Sequence, residues 1–172
     1  MSSTAASRSS RLMPQEGGRQ TSPLYVSQES SQTLAEGLEE YYRINAGVVT
    51  RPEDLPEASR SLFAGHDVCH VIFGLTTDPL DETLVDTRAM VSTTIGARRY
   101  AAYLGSDPAT KAIFAQFGFW RLARITVVAL PRIVVALFEA LRMRRRWEWS
   151  PPPELYGRSL AELRAEFGIR IV

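Results

Sequence analysis

The sequence predicts an all-α fold, a single domain of about six helices, on three observations. Helix-capping signals stand at both ends of its ordered part, Thr33 with Glu36 and Ser159 with Glu162. Gly and Asp-Pro pairs punctuate the chain between them at helix-length intervals. Alternation with period two is confined to the short stretch from Ile169 to Val172, so no sheet is expected.

The elements follow in order. Residues 1–30 are rich in Ser and Arg and lack an apolar h-region, so no secretory signal is expected there. The tail faintly resembles an organellar transit peptide but has no apolar face, and disorder is the expectation. The helical domain is placed at 31–172. Its first helix runs from the Thr33 box to about Arg43, with Leu34, Leu38, Tyr41 and Tyr42 broadly on one side. Thr50-Arg51-Pro52-Glu53 reads as a second cap, and Pro56 tolerates only a helix's first turn. The second helix therefore starts between Leu55 and Glu57 and stops at Gly74.

Asp78 as N-cap and Pro79 at the first helical position open the third helix, which Gly96 can interrupt and Gly105 ends. Asp107-Pro108 starts a fourth in the same way. Pro131 should kink or break that helix, with a further segment reaching about Arg146. Ser150 to Pro153 is extended linker, and the Ser159 box starts a short last helix that Gly168 stops.

Composition bounds the function. A net charge of +1 argues against a general nucleic-acid binder. The single cysteine, Cys69, excludes an internal disulfide and fits a reducing compartment such as the cytoplasm. The most apolar region, residues 112–141, is interrupted by Arg121, Arg124, Arg132 and Glu139, so it is not expected to span a membrane.

Chemistry concentrates at HDVCH, residues 66–70, which holds both histidines of the chain. On a helix His66 and His70 stand one turn apart on one face, a spacing that lets two imidazoles share an ion. The competing reading is a pair of core histidines, since Leu62, Cys69 and Phe73 share that face. Helix geometry brings in an acid. His70 lies one turn, ~6 Å, before the end of its helix. Glu82 lies one turn into the next, and the short connection makes the two antiparallel neighbours. His70 and Glu82 should then meet at one height, and Asp86, one turn further, should face His66. There it could accept the proton of the histidine's non-ligating nitrogen.

Asp67 points about 100° away from His66 around the helix. It is a fourth ligand at the edge of the site, an outer partner, or a catalytic acid/base group. Cys69 could also ligate as a thiolate, although a small core residue is the commoner role. Two imidazoles and a carboxylate suit Zn²⁺, and the same set forms the facial triad of non-haem Fe(II).

His66-Asp67-x-x-His70, then eleven residues, then Glu82 resembles HDxxH-x11-E, the metal signature of the coenzyme Q (ubiquinone) biosynthesis protein 4 family. Gly74, EYYRIN at 40–45 and SLAELRAEFGI at 159–169 resemble family segments too. The tail stands where longer members carry a further helical region, so the chain looks like a compact bacterial-type member. The resemblance implies an α-helical protein holding Zn²⁺ or another divalent metal on His66, Asp67, His70 and Glu82. It implies work on isoprenoid-tailed aromatic intermediates, as a catalyst of oxidative decarboxylation at C1 of the ring or as an organiser of other biosynthetic enzymes. It also implies a peripheral place on the inner membrane.

Residues 112–120, 125–131 and 133–138 are apolar around most of a helix circumference, which suits a buried helix, a cavity lining or a lipid contact. The basic run RMRRRW at 142–147, with Trp149 beyond it, suits an anionic membrane surface. It also suits the C-terminus of a helix dipole. Three functions stand together: a metal-dependent enzyme acting on a prenylated ring acid, a non-catalytic lipid-binding scaffold with a structural metal, and a metallohydrolase. The last is weakest, since aspartate is short for the glutamate of peptidase helices and His-Asp phosphohydrolases usually need more than two histidines.

Overall fold

The computed structural model describes residues 22–106, 111 and 118–172, and the described chain is helical without a strand. Its α-helices are α1 (Leu34–Ile44), α2 (Glu57–Phe73), α3 (Pro79–Ser92), α4 (Gly96–Ser106), α5 (Phe119–Arg142), α6 (Pro153–Tyr156) and α7 (Leu160–Phe167). The all-α expectation holds. The count exceeds six because the chain breaks before Gly96 (φ +71°) and because Pro153 opens a single helical turn. The Asp107-Pro108 start and the apolar run at 112–117 lie outside the described residues.

Local signals explain most boundaries. Thr33 and Glu36 form the full reciprocal box, with the Glu36 N–H donating to Thr33 Oγ1 at 3.2 Å and the Thr33 N–H to Glu36 Oε2 at 2.8 Å. The start of α7 lies against this box, its Leu160 N–H donating to Gln32 O at 2.8 Å and the Leu34 N–H to Arg158 O at 3.0 Å. Gly74 ends α2 in the left-handed region (φ +66°), where a β-carbon would also meet Ile171 at 2.5 Å. Asp78 occupies the N-cap position of α3, but its carboxylate accepts from Thr76 Oγ1 rather than from the helix.

Three expectations are corrected. Residues 22–30, assigned to the disordered tail, are packed: Tyr25 is fully buried, and the Leu24 and Tyr25 N–H groups both donate to the Glu40 carboxylate at 3.2 Å. Pro131 neither breaks nor ends its helix. It sits on the exposed side of α5, while Ala129, Ile133 and Ala136 pack toward the core on either side of it. The helix stops at Arg142, not Arg146, because residues 143–147 are pinned outside the helix. The Arg144 N–H donates to Phe167 O at 2.9 Å and the Trp147 N–H to Ser92 O at 2.8 Å. As expected of an all-α chain, the period-two stretch Ile169–Val172 forms no strand. Its backbone pairs with the Gln28 side chain, which donates to Ile169 O at 3.1 Å and accepts from the Ile171 N–H at 3.0 Å.

α2 is the axis of the core. Val68, Cys69, Val71, Ile72 and Phe73 are buried within it, and α1, α3 and α7 pack around it. α3 lies against α2 on one side and along α5 on the other. Arg132 of α5 pairs with Asp81 in the first turn of α3 at 2.8 Å. α5 leaves Val127, Val128, Leu130, Val134, Val135 and Phe138 exposed. No helix among the described residues is long and apolar enough to cross a membrane.

Candidate metal centre

The α2–α3 hairpin brings together three donors, as helix spacing predicts. His66, His70 and Glu82 each offer one ligand atom, and the three atoms lie within 4.8 Å of one another. His70 Nε2 is 3.5 Å from Glu82 Oε1, and His66 Nε2 is 3.7 Å from Glu82 Oε2. Donors each about 2.0–2.1 Å from a tetrahedral ion stand roughly 3.3 Å apart, close to the two histidine–carboxylate distances, which reach different oxygens of Glu82.

The backbone turn that ends α2 prepares one ligand. The Leu75 N–H donates to His70 O at 2.8 Å, which folds the Leu75 carbonyl back to 3.3 Å from His70 Nδ1. A carbonyl can only accept, so Nδ1 carries a proton, and in the neutral ring Nε2 is the nitrogen that can bind an ion. That Nε2 is fully buried and has no hydrogen-bond partner. Tyr41 stacks on the ring with centroids 5.0 Å apart, and His66 meets its edge at 4.8 Å. A buried imidazole nitrogen turned toward a carboxylate and a second imidazole has the chemistry of a metal ligand. The donor set fits a divalent ion.

The two aspartates take sides that the sequence did not assign. Asp67, expected as a fourth ligand, an outer partner or an acid/base group, lies outside the converging set. Its Oδ2 accepts from the Tyr42 hydroxyl at 2.9 Å, and its Oδ1 is 3.9 Å from His66 Nδ1, the nitrogen away from Glu82. The 100° offset of adjacent helix positions turns it toward α1. Asp86 does face His66, but at Nε2, with Oδ1 at 3.8 Å, and the Tyr100 hydroxyl donates to that same oxygen at 2.6 Å. Cys69 is buried apart from the converging donors. Burial, with Asp67 and Asp86 nearby, pushes its thiol pKa up, which disfavours the thiolate a metal would need.

The electrostatics are those of a carboxylate nest around an imidazole. Burial opposes charge on His66, but Asp67, Glu82 and Asp86 outweigh it and move its pKa above 6.5. Burial also works against the Glu82 anion, yet the His70 and His66 imidazoles hold its pKa below the usual value. Burial raises Asp86 despite His66 and the Tyr100 hydroxyl.

Three aromatic partners were missed. Tyr41 and Tyr42 had been read only as one side of α1, and nothing in the local pattern distinguishes Tyr100. Arg51 covers the Tyr42 ring at 4.5 Å while bound to Glu39 through both Nη atoms, at 2.8 and 2.6 Å, which steadies the phenol that holds Asp67. Gly65 belongs to the site as well. A β-carbon there would lie 2.3 Å from the Trp149 ring, which in turn meets Tyr100 edge-on at 5.5 Å. Comparison of the chain with protein-family models, curated proteins and solved structures finds no match in any of the three.

Proposed function

We propose that this protein binds a divalent metal, Zn²⁺ or Fe, on His66, His70 and Glu82 and uses it on an isoprenoid-tailed aromatic acid of ubiquinone-type biosynthesis. The observation that carries the metal reading is the buried Nε2 of His70, unpartnered and aimed at Glu82 and His66. Three protein donors leave a coordination position open, which favours catalysis over a purely structural ion. The motif His66-Asp67-x-x-His70-x11-Glu82 supplies the substrate class by its resemblance to the coenzyme Q biosynthesis protein 4 signature.

The exposed apolar face of α5 supports a lipid-tailed ligand. It lies beyond α3, the helix that carries Glu82, and it ends in Arg142, Arg144, Arg145 and Arg146. Those cations would meet an anionic inner-membrane surface from the cytoplasmic side, where the tail would be collected and other enzymes of the pathway met.

The reaction is an oxidative decarboxylation. The ring carbon loses CO₂ and gains hydroxyl from water, and two electrons with two protons pass to an external two-electron acceptor. A bound divalent ion would supply Lewis acidity, or one-electron chemistry if it is iron. The residues of the chain do the rest. His70 is locked in one tautomer by Leu75, Asp67 orients His66 from the Tyr42 side, and Tyr41 keeps water from His70.

Incubation of metal-loaded protein with a prenylated 4-hydroxybenzoate carrying a carboxyl ¹³C label, plus an electron acceptor, should release labelled CO₂ with formation of the ring hydroxyl. His70→Ala should release none above background. Equal release by both proteins removes the catalytic reading. Tight binding of the same compound without release, independent of metal, would instead favour the non-catalytic lipid-presenting scaffold.

A further inference from the structure

We infer that Asp86 selects what occupies the open position of the metal site. Its carboxylate accepts a hydrogen bond from a bound group that carries an O–H or N–H, water foremost, and repels an anion that carries none. Tyr100 is the positioning residue that holds it. The inference rests on the metal reading of His66, His70 and Glu82 and deepens it, because those three donors leave one position free.

The α2–α3 hairpin is a ladder of four side chains, because residues four apart on each helix share one face. His70 faces Glu82 on one rung at 3.5 Å, and His66 faces Asp86 on the next at 3.8 Å. His66 Nε2 also reaches Glu82 across the rungs at 3.7 Å. Three corners of the ladder supply the converging donors, and Asp86, outside that set, is the fourth corner. It stands beside the nitrogen that His66 turns to Glu82. A molecule taking the open position at that corner meets the Asp86 carboxylate.

Access and support agree with this. The His70 side chain is fully buried, whereas Glu82 is 41% and Asp86 33% exposed, so a ligand enters from the α3 side. The Tyr100 hydroxyl, on a fully buried residue of α4, donates to Asp86 Oδ1 at 2.6 Å and fixes the carboxylate from behind. That bond uses one lone pair, and an ionised carboxylate has several to offer. Asp67 differs on each count. Its side chain is 3% exposed, it lies at the other nitrogen of His66, and Tyr42 takes its second oxygen. A fixed carboxylate beside an open position favours a bound group with a hydrogen bond to donate. It opposes a bare anion, which adds a like charge and leaves the acceptor unpaired. Under the proposed reaction, the group so held is the water whose oxygen enters the ring.

Cobalt(II) in the full chain tests this without any turnover, since its visible bands report coordination and shift when a ligand is added. Two probes are used: azide, an anion with nothing to donate, and acetohydroxamate, which keeps an N–H beside its ligating oxygens. Asp86→Asn retains an oxygen for Tyr100 and turns an amide N–H toward the open position. Its bands before any probe is added should match those of the native sequence. Its azide affinity should then rise relative to its acetohydroxamate affinity by about tenfold or more, the size of one charged hydrogen bond. Tyr100→Phe keeps the Asp86 charge but releases the carboxylate, and should move the same ratio in the same direction by about threefold or more. It carries the test if Asp86→Asn does not fold. An unchanged or opposite ratio would overturn the inference and leave the metal reading standing. So would altered bands in Asp86→Asn without a probe, which would make Asp86 a ligand, or native bands that neither probe moves. No cobalt bands in the native sequence would remove the metal reading itself, and the inference with it.

Discussion

Arg164→Met is expected to destabilise the fold by about 4 kcal/mol. Arg164 lies on α7, is fully buried, and faces four backbone carbonyls rather than a carboxylate. Its Nε donates to Ile72 O at 2.9 Å, its Nη2 to Val71 O at 2.8 Å and Tyr25 O at 2.6 Å, and its Nη1 to Ser27 O. Burial pulls the guanidinium pKa down to about 10, against the pull of Glu29. Replacing a buried ion pair with apolar groups can be neutral, because both charges go. Here the partners are main chain and remain. Each buried carbonyl left bare costs roughly 1–3 kcal/mol. Methionine recovers part of the packing, which leaves about 4 kcal/mol and, at this chain length, a fall in Tm of about 8–16 °C. Urea unfolding followed by circular dichroism measures it. A loss below ~1 kcal/mol would mean that water reaches the carbonyls and that the packing of residues 22–30 is not what Arg164 secures.

The second large effect separates an added ion from a structural one. The buried apolar residues of the hairpin, Ile72, Phe73, Leu84, Val85 and Ala89, lie in the core. Stripping metal with a chelator should therefore leave the far-ultraviolet dichroism unchanged. Adding Zn²⁺ at about 100 times its Kd should then stabilise the protein by about 2.7 kcal/mol, a rise in Tm of roughly 5–11 °C. Glu82→Gln should show a much smaller rise. The pH dependence has a definite sign. The carboxylates around His66 raise its pKa in the metal-free protein, and an ion must displace that proton. Affinity should thus fall as pH drops through a value above 6.5, the ordinary histidine pKa. Collapse of the helical signal on chelation would point to the scaffold with a structural metal.

The hairpin was legible because its register is fixed by local signals. Gly74 ends one helix, Pro79 starts the next, and counting turns from those two points places His70 against Glu82 and His66 against Asp86. Which nitrogen each aspartate would face was not legible. That depends on the ring rotation of His66 and on where the two carboxylates are held, Asp67 by Tyr42 from α1 and Asp86 by Tyr100 from α4. The order of residues 22–30 was hidden for a related reason. The segment has no periodicity of its own and is held by groups distant in sequence, Glu40 and Arg164. Pro131 does not break its helix: it stands on the exposed side of α5, which packs on α3.

The central claim is that His66, His70 and Glu82 hold one divalent ion, and metal content by elemental mass spectrometry tests it most directly. The protein should be purified without a histidine tag, beside His70→Ala. About one zinc or iron per chain in the native sequence and close to none in His70→Ala is the expected result. No stoichiometric metal in either protein, even after reconstitution, would contradict it and return both histidines to the core.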